Sequence, residues 1–353
     1  MSSIGDLYRH IIYTDDTSVN FLKQKGVLPK QEFCEKINNI SNEVCGGVLK
    51  ECYKNSRKRD SDGQFVKTKY LRCQTRGCQT YQTIRKKNPF FTYVDINGKC
   101  NSGLSLCQIV ELVWYWAHGM QVIQIMKWTG RSQHTVSDWY NLCRDICVDQ
   151  FQKRTKTGGV GFVVQIDESL FQGKRKYNRG RLRLGDRQPG EEIVESGSSS
   201  SDTDTEITNR NYGVRVQGPR VFGMCCRRDN IVERRLFIVQ KRDRATLLPI
   251  IKREIEPGTT IFSDEWKAYS CLNDHGYIHN TVNHKINFID PQTGAETQTM
   301  ECYWRHIKVR YGIKSHGTTN LLERQLKEEW WRSINTTNTF ETFFIDMKIT
   351  FQL

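Results

Sequence analysis

Nothing in these 353 residues stays apolar long enough to span a bilayer. The most apolar stretch, Ile109 to Ala117, is interrupted by Glu111 and is far short of the roughly twenty residues a membrane helix needs. The opening Met1-Ser-Ser-Ile-Gly-Asp-Leu-Tyr-Arg-His lacks the apolar core of a signal peptide, so no membrane partner is expected. Acids are also scarce, 39 against 53 lysines and arginines, which leaves a net charge of +14. Each cation docked on a phosphate releases a counterion, so nucleic acid is the simplest partner for such a chain. The 13 cysteines are an odd number scattered over a long chain. Without a secretion signal they point to reduced thiols or a metal site, not to a disulfide framework.

Residues 1–100 read as a basic, cysteine-bearing region. A clean zinc ribbon would show Cys-x-x-Cys at 34 and 37, but position 37 is isoleucine. Four thiolates are still on offer from Cys34, Cys45, Cys73 and Cys78, with Cys52 the alternative to Cys45, and Cys73-Gln-Thr-Arg-Gly-Cys78 forms a glycine-containing knuckle. The expectation is a degenerate zinc-ribbon-like region with a structural Zn²⁺. Between Lys50 and Lys87, cations are interleaved with Tyr53, Phe65, Tyr70 and Tyr81, which suits phosphate contact with some aromatic stacking.

Residues 101–156 read as helices. Leu104, Cys107, Ile109, Val110, Leu112, Val113 and Trp116 recur at spacings of three and four, followed by a stop at Gly119. A short helix over Gln121–Trp128, the turn Thr129-Gly-Arg-Ser132 and a helix bearing Val136, Trp139, Tyr140, Cys143 and Ile146 complete a helix-turn-helix pattern. Arg131, Gln133 and His134 then stand near the start of the recognition helix as DNA contacts. A plain helical support is the bland alternative.

From 157 to 335 the pattern becomes strands followed by helices. Gly161–Glu168, Arg220–Cys226 and Glu233–Gln240 form a meander, then come a helix over Ala245–Glu256, a strand Thr259–Ser263, a helix Trp266–His275, a strand Ile278–Val282 and a helix carrying Glu301. That order predicts an α/β, ribonuclease H-like mixed-sheet catalytic core. A disordered acidic insertion over 186–210 interrupts it: residues 186–206 hold seven acids, one arginine and a serine run. Residues 336–353 are read as a C-terminal tail.

Two aspartates end predicted strands, Asp167 and Asp264, and Glu301 lies on the later helix. Three carboxylates so placed suit two Mg²⁺ (or Mn²⁺) ions about 3.5–4 Å apart, which activate an oxygen nucleophile and stabilise phosphoryl transfer. No histidine or cysteine is needed as nucleophile. Singly, each acid has a bland reading as a cap, turn or solvated position, and Glu168 and Glu265 leave the ligand choice open by one residue. The basic run Gly173–Arg183 follows the first aspartate, with Lys174, Arg175, Lys176, Arg179 and Arg181 as DNA contacts. The same run suits nuclear import, and a nuclear location is expected. Lys308 and Trp304 share a face with Glu301 at spacings of seven and three, placing a cation and an indole beside DNA.

The ordered motifs Gln165-Ile-Asp-Glu-Ser-Leu-Phe171, Val-Phe-Gly223, Ser-Asp-Glu-Trp266 with Tyr269, Val-Asn-His284, Asn-Phe-Ile-Asp-Pro291, Thr-Gly-Ala295 and Thr-Gln-Thr-Met-Glu301-Cys-Tyr-Trp304 resemble the transposases of the Merlin superfamily. These are eukaryotic cut-and-paste elements with bacterial insertion-sequence relatives, and the resemblance covers about residues 100–335. It implies a DDE core at Asp167, Asp264 and Glu301, choosing the aspartates over Glu168 and Glu265. It also implies Mg²⁺ dependence, binding of terminal inverted repeats by the N-terminal part, and Asn283 and His284 as supporting residues. The chain departs from the family at Ile37 and in its acidic insertion. The expected function is a transposase that cuts double-stranded DNA at terminal repeats and joins 3′-hydroxyls to target DNA, as a homo-oligomer. A non-catalytic DNA-binding derivative and a nuclease without strand transfer are the rivals.

Overall fold

The computed structural model describes residues 3–37, 42–59, 63–92, 103–174, 215–216, 218–283, 286, 289–313 and 317–353. The chain forms two compact units, Met1–Gln150 with Thr337–Leu353, and Phe151–Thr336.

The first unit contains a four-stranded antiparallel sheet in the order β1 (Glu32–Phe33), β2 (Val48–Arg59), β3 (Phe65–Cys73), β4 (Tyr81–Thr83). Its helices are α1 (Ile4–Asp6), α2 (Asp15–Gln24), α3 (Leu106–Ala117), α4 (Val122–Thr129) and α5 (Gln133–Gln152). Ser105 starts α3 by accepting from the amide of Gln108. Because α3 is apolar nearly all round, it is buried along its length, from Leu106 to Ala117. The expected short helix, glycine turn and helix are found at 122–152. Gly130 closes α4 in the left-handed conformation (φ +66°), and the Ser132 hydroxyl accepts from the amide of Thr135 at 3.2 Å.

The C-terminal stretch, read as a tail, is instead a helix, Thr339–Phe351, within this unit. Phe340, Phe343, Phe344 and Met347 recur at helical spacing and are buried. The Phe343 ring meets those of Phe90 and Trp116 at 5.6 and 5.2 Å. A segment with four large apolar side chains on one face gains more from packing than from remaining a tail.

In the second unit a five-stranded sheet runs in the order β10 (Ile231–Val239), β9 (Arg220–Arg228), β6 (Val163–Leu170), β12 (Thr260–Asp264), β13 (Ile278–Val282). β10, β9 and β6 are antiparallel, whereas β6, β12 and β13 are parallel. Two short pairs accompany it, β5 (Thr157–Gly158) with β11 (Ile255–Glu256), and β7 (Gly173–Lys174) with β8 (Arg215–Val216). Helix α6 (Arg244–Glu254) is capped by Asp243, whose carboxylate accepts from the Thr246 amide at 2.9 Å. One core cluster joins α6 to one sheet face through Val164, Ile166, Leu247 and Ile251. The other joins α7 (Gln298–Arg310) and α8 (Leu322–Ile334) through Val221, Met300, Trp304 and Leu326.

The helix expected over Trp266–His275 is replaced by two 3₁₀ turns, Lys267–Tyr269 and Asn273–His275. Tyr269 and Leu272 are anchored in the core, and Gly276 (φ +82°) turns the chain into β13. So short a crossover between parallel strands favours tight turns over a regular helix. The acidic insertion at 186–210 lies outside the described residues. Among the described residues, no helix is long and apolar enough to cross a membrane.

Candidate functional site

Asp167 lies on β6 and Asp264 ends β12, the adjacent parallel strand. The two strands pair from Thr260 with Val163 to Phe262 with Gln165. Continued two residues further, that register brings Asp264 level with Asp167, and side chains an even number of residues apart share a face. Alternation also separates Asp167 from its neighbour. Asp167 faces α7, where the Trp304 indole Nε1 donates to its Oδ2 at 2.8 Å, while the Glu168 amide donates to Oδ1 at 2.8 Å.

Two residues dock α7 on the sheet. Gln165, 8% exposed, accepts from the Met300 amide at 3.3 Å, one of the first-turn amides that the helix itself leaves unpaired. Gly223 pairs with Asp167 across β6 and β9. A Cβ at Gly223 would lie 2.5 Å from Trp304 Cη2 and 2.6 Å from Met300 Cε, so the missing side chain lets the indole settle over β9 and reach Asp167. Glu301, one residue after Met300, is exposed and accepts from the Thr297 hydroxyl at 3.2 Å.

The other neighbouring acids are engaged elsewhere. Glu168 is held by Arg242 at 2.8 Å and by the Tyr269 hydroxyl. Arg242 also lies 3.8 Å from Asp264, and its guanidinium sits 4.4 Å over the Trp266 ring. Asp264 accepts from the Trp266 amide at 3.2 Å, so it caps the following turn as well as facing Arg242. Glu265 accepts from Asn283 at 2.7 Å, which ties Asn283 to that acid. Sequence patterning gave no warning of Arg242, because it lies 74 residues from Glu168 in the chain.

Burial pushes the Asp167 carboxyl up to about 7, and the charges of Asp264 and Glu301 add to the rise against the bonds from Trp304 and Glu168. Burial likewise pushes Glu168 up to about 7, opposed by Arg242. Between the ordinary values of 3.8 and 4.5 and about 7, the folded chain therefore holds more protons than the unfolded chain. Stability without divalent cation is expected to fall as pH rises through that window and to level off above it. Thermal melts in chelator at pH 5 and pH 8 check this, with a lower melting temperature expected at pH 8 that added Mg²⁺ raises. Three hard oxygen donors whose charges repel one another suit Mg²⁺ or Mn²⁺. Asp167 and Asp264 would hold such a cation, with Glu301 presented from α7.

The profile of the ISXO2-like transposase domain matches residues 159–335, half of the chain and all of the acids above. This chain belongs to the ISXO2-like transposase family. An uncharacterized transposase-like protein of Haemophilus influenzae is 29% identical over 100 residues, covering 28% of this chain and 79% of that protein. A fold comparison aligns 69% of this transposase-family chain with 75% of a chain in the crystal structure of the Mos1 strand transfer complex. The TM-score there is 0.23 with 9% identity, a likeness too slight to argue from.

The second metal candidate lies in the N-terminal unit. Among the described residues, Cys34, Cys45, Cys73 and Cys78 are the one group of three or more such donors with all ligand atoms within 4.8 Å of one another. The Cys34–Cys78 and Cys45–Cys73 sulfurs are both 3.7 Å apart. Tetrahedral Zn–S bonds of about 2.3 Å put sulfurs about 3.8 Å apart, so these four thiols could hold zinc. Cys45, not Cys52, fills the place left by Ile37. The chain from Cys34 folds back through the Ile37–Val44 bridge and brings Cys45 round. Gly47 permits the approach, since a Cβ there would lie 2.8 Å from Cys73 Sγ. Burial raises the Cys34 thiol to about 12, whereas bonds from Thr80 lower Cys78 to about 6. A zinc chelator is expected to lower the melting temperature of the full chain, reversibly on zinc return, and Cys73→Ser to abolish stoichiometric zinc in metal analysis.

The predicted DNA contacts divide. Gln133 and His134 are exposed on the first turn of α5. Arg131 is turned inward: it pairs with Glu111 at 2.6 Å, with side chains only 12% and 11% exposed. Glu111 sits on buried α3 and takes the nearest cation, so Arg131 is not free to read DNA. Lys308 donates to Ser169 at 2.7 Å beside the Phe171 ring. Lys174, on β7, is the last described residue of the basic run, and Arg175, Lys176, Arg179, Arg181 and His284 lie outside the described residues.

Proposed function

We propose that this chain is a cut-and-paste DNA transposase with a ribonuclease H-like catalytic core, its carboxylates Asp167, Asp264 and Glu301, and that its motif set places it with the Merlin superfamily. The observation that carries the reading is the register of two adjacent parallel strands, Phe262 opposite Gln165, with Asp264 and Asp167 each two residues beyond that pair and α7 docked beside β6 by Gln165 and Trp304. The sheet order of three antiparallel strands continued by two parallel ones supports the ribonuclease H-like assignment.

Divalent cations, when bound, supply activation of an oxygen nucleophile and neutralisation of phosphoryl charge. The chain's own residues fix the carboxylates. Trp304 and the Glu168 amide hold both oxygens of Asp167 in orientation, which is how a few convergent groups gain rate through positioning. Arg242 spans Glu168 and Asp264, so it compensates the buried Glu168 charge and lies beside Asp264 as well. Exposed α5 residues Gln133 and His134 are proposed to enter the major groove at the element ends, with the basic run after β6 gripping the DNA backbone. Two ends must be joined together, which favours at least a dimer.

A strand-transfer assay tests this. A duplex carrying the flanking inverted repeat is incubated with the full chain, Mg²⁺ and a target plasmid. Joined products support the transposase reading, while hydrolysis alone moves it to a nuclease.

A further inference from the structure

The N-terminal sheet keeps both its acids on one face. Directly opposed residues in antiparallel strands share a face. Glu32 pairs with Leu49, Glu51 with Leu71, and Tyr53 with Lys69, all on one side. That side is turned to α2, where Glu51 is held by Lys23 and Lys69, and Asp16 by Lys69 and Tyr53. Both acids of the four strands lie there, each already bonded, Glu32 to Gln82 at 2.6 Å.

The opposite face is different. Lys50 pairs with Arg72, which pairs in turn with Tyr81, and Lys54 sits four residues along β2 from Lys50 on the same side. Lys50 and Lys54 are exposed, Tyr81 is 45% exposed and Phe33, at the sheet edge, 52%. No acid of the strands shares this side, and Glu35, just beyond β1, is tied to Lys86 and Lys87. The Lys54 ammonium and the Arg72 guanidinium both lie over the Tyr81 ring, at 4.9 and 5.6 Å. The ring gathers two cations on an outward surface and reduces the freedom they would lose on docking.

We propose that the outer face of this sheet is a docking surface for duplex DNA, in which Lys50, Lys54 and Arg72 grip the sugar-phosphate backbone without reading sequence. The choice of DNA rests on the function proposed above; the surface itself rests on the placement of both acids on the other face. Duplex is favoured over single strand because the cations cover the Tyr81 ring, which is therefore not a free platform for an unpaired base. The face is separate in the chain from α5 and from the carboxylates, and it adds affinity where they supply recognition and chemistry.

The test measures binding, not cleavage. The full chain is titrated by fluorescence anisotropy against a duplex of about 30 base pairs of arbitrary sequence and against the matching single strand, between about 50 and 200 mM salt in chelator-free buffer without Mg²⁺. For Lys50→Gln/Lys54→Gln/Arg72→Gln the slope of log affinity against log salt should flatten by about 2.7, about 0.9 per lost phosphate contact, with affinity for duplex at least about tenfold weaker. Where the triple variant fails to fold, Lys50→Gln alone should flatten the slope by about 0.9. An unchanged duplex slope in a folded variant overturns the proposal. A loss confined to single strand overturns it too and makes the face a single-strand platform. Neither result bears on cleavage at Asp167, which fails or survives in its own assay.

Discussion

Asp167→Asn should abolish cleavage and joining, by on the order of 10³-fold or more, while leaving the affinity for duplex DNA within about twofold of wild type. Asparagine keeps the shape and an oxygen to accept from the Trp304 indole, so the geometry around it survives. What it removes is the charge needed to hold a hard cation. The same substitution removes a half-buried carboxylate that burial, with the charges of Asp264 and Glu301, pushes up to about 7. The metal-free variant is therefore expected to melt higher than wild type at pH 8, and the gap should narrow at pH 5, where the wild-type carboxyl is protonated. Loss of activity together with a gain in stability separates a cation site from a structural aspartate. Mg²⁺-dependent cleavage by the variant would place the chemistry elsewhere.

Gly223→Ala should cost about 1–3 kcal/mol of stability and lower strand transfer about 10²-fold, although residue 223 is not proposed to touch metal or DNA. The added methyl would stand 2.5 Å from Trp304 and 2.6 Å from Met300, and both neighbours are core side chains with little room to give. Moving the indole off β9 breaks its bond to Asp167 and shifts the start of α7, where Glu301 sits. Trp304→Phe separates the two effects. It removes the donor while retaining an aromatic ring, so activity should fall about tenfold or more with a smaller loss of stability. Chemical denaturation and strand-transfer rates on the same preparations measure both. Equal activity in wild type and Trp304→Phe would show that the indole only packs.

Much of the second unit was legible because its signals are local. The apolar runs around Asp167 and Asp264 are strands, bounded nearly as their patterns predict, since alternation and β-branched composition act within a few residues. The turn at Gly130 and Ser132 was legible for the same reason, a left-handed position and a cap being properties of adjacent residues. The segment 266–275 was misread as a helix because its composition permits one, and only the span it must cross between parallel strands forbids it. The C-terminal helix was missed although its apolar spacing was visible, since its partners Phe90 and Trp116 are remote in the chain.

The sequence by itself determined the chain's charge, the strand and helix carrying each acid, and the four cysteines available to a metal. Those follow from residue type and short-range periodicity. Tertiary structure decided which acid faces which partner: Asp167 towards Trp304, Glu168 towards Arg242, Glu265 towards Asn283. It also decided that Cys45 replaces the cysteine missing at 37, that Arg131 turns inward to Glu111, and that the N-terminal sheet sends both its acids one way and Lys50, Lys54 and Arg72 the other. Each of those outcomes depends on register and on contacts between distant segments, which no local pattern encodes.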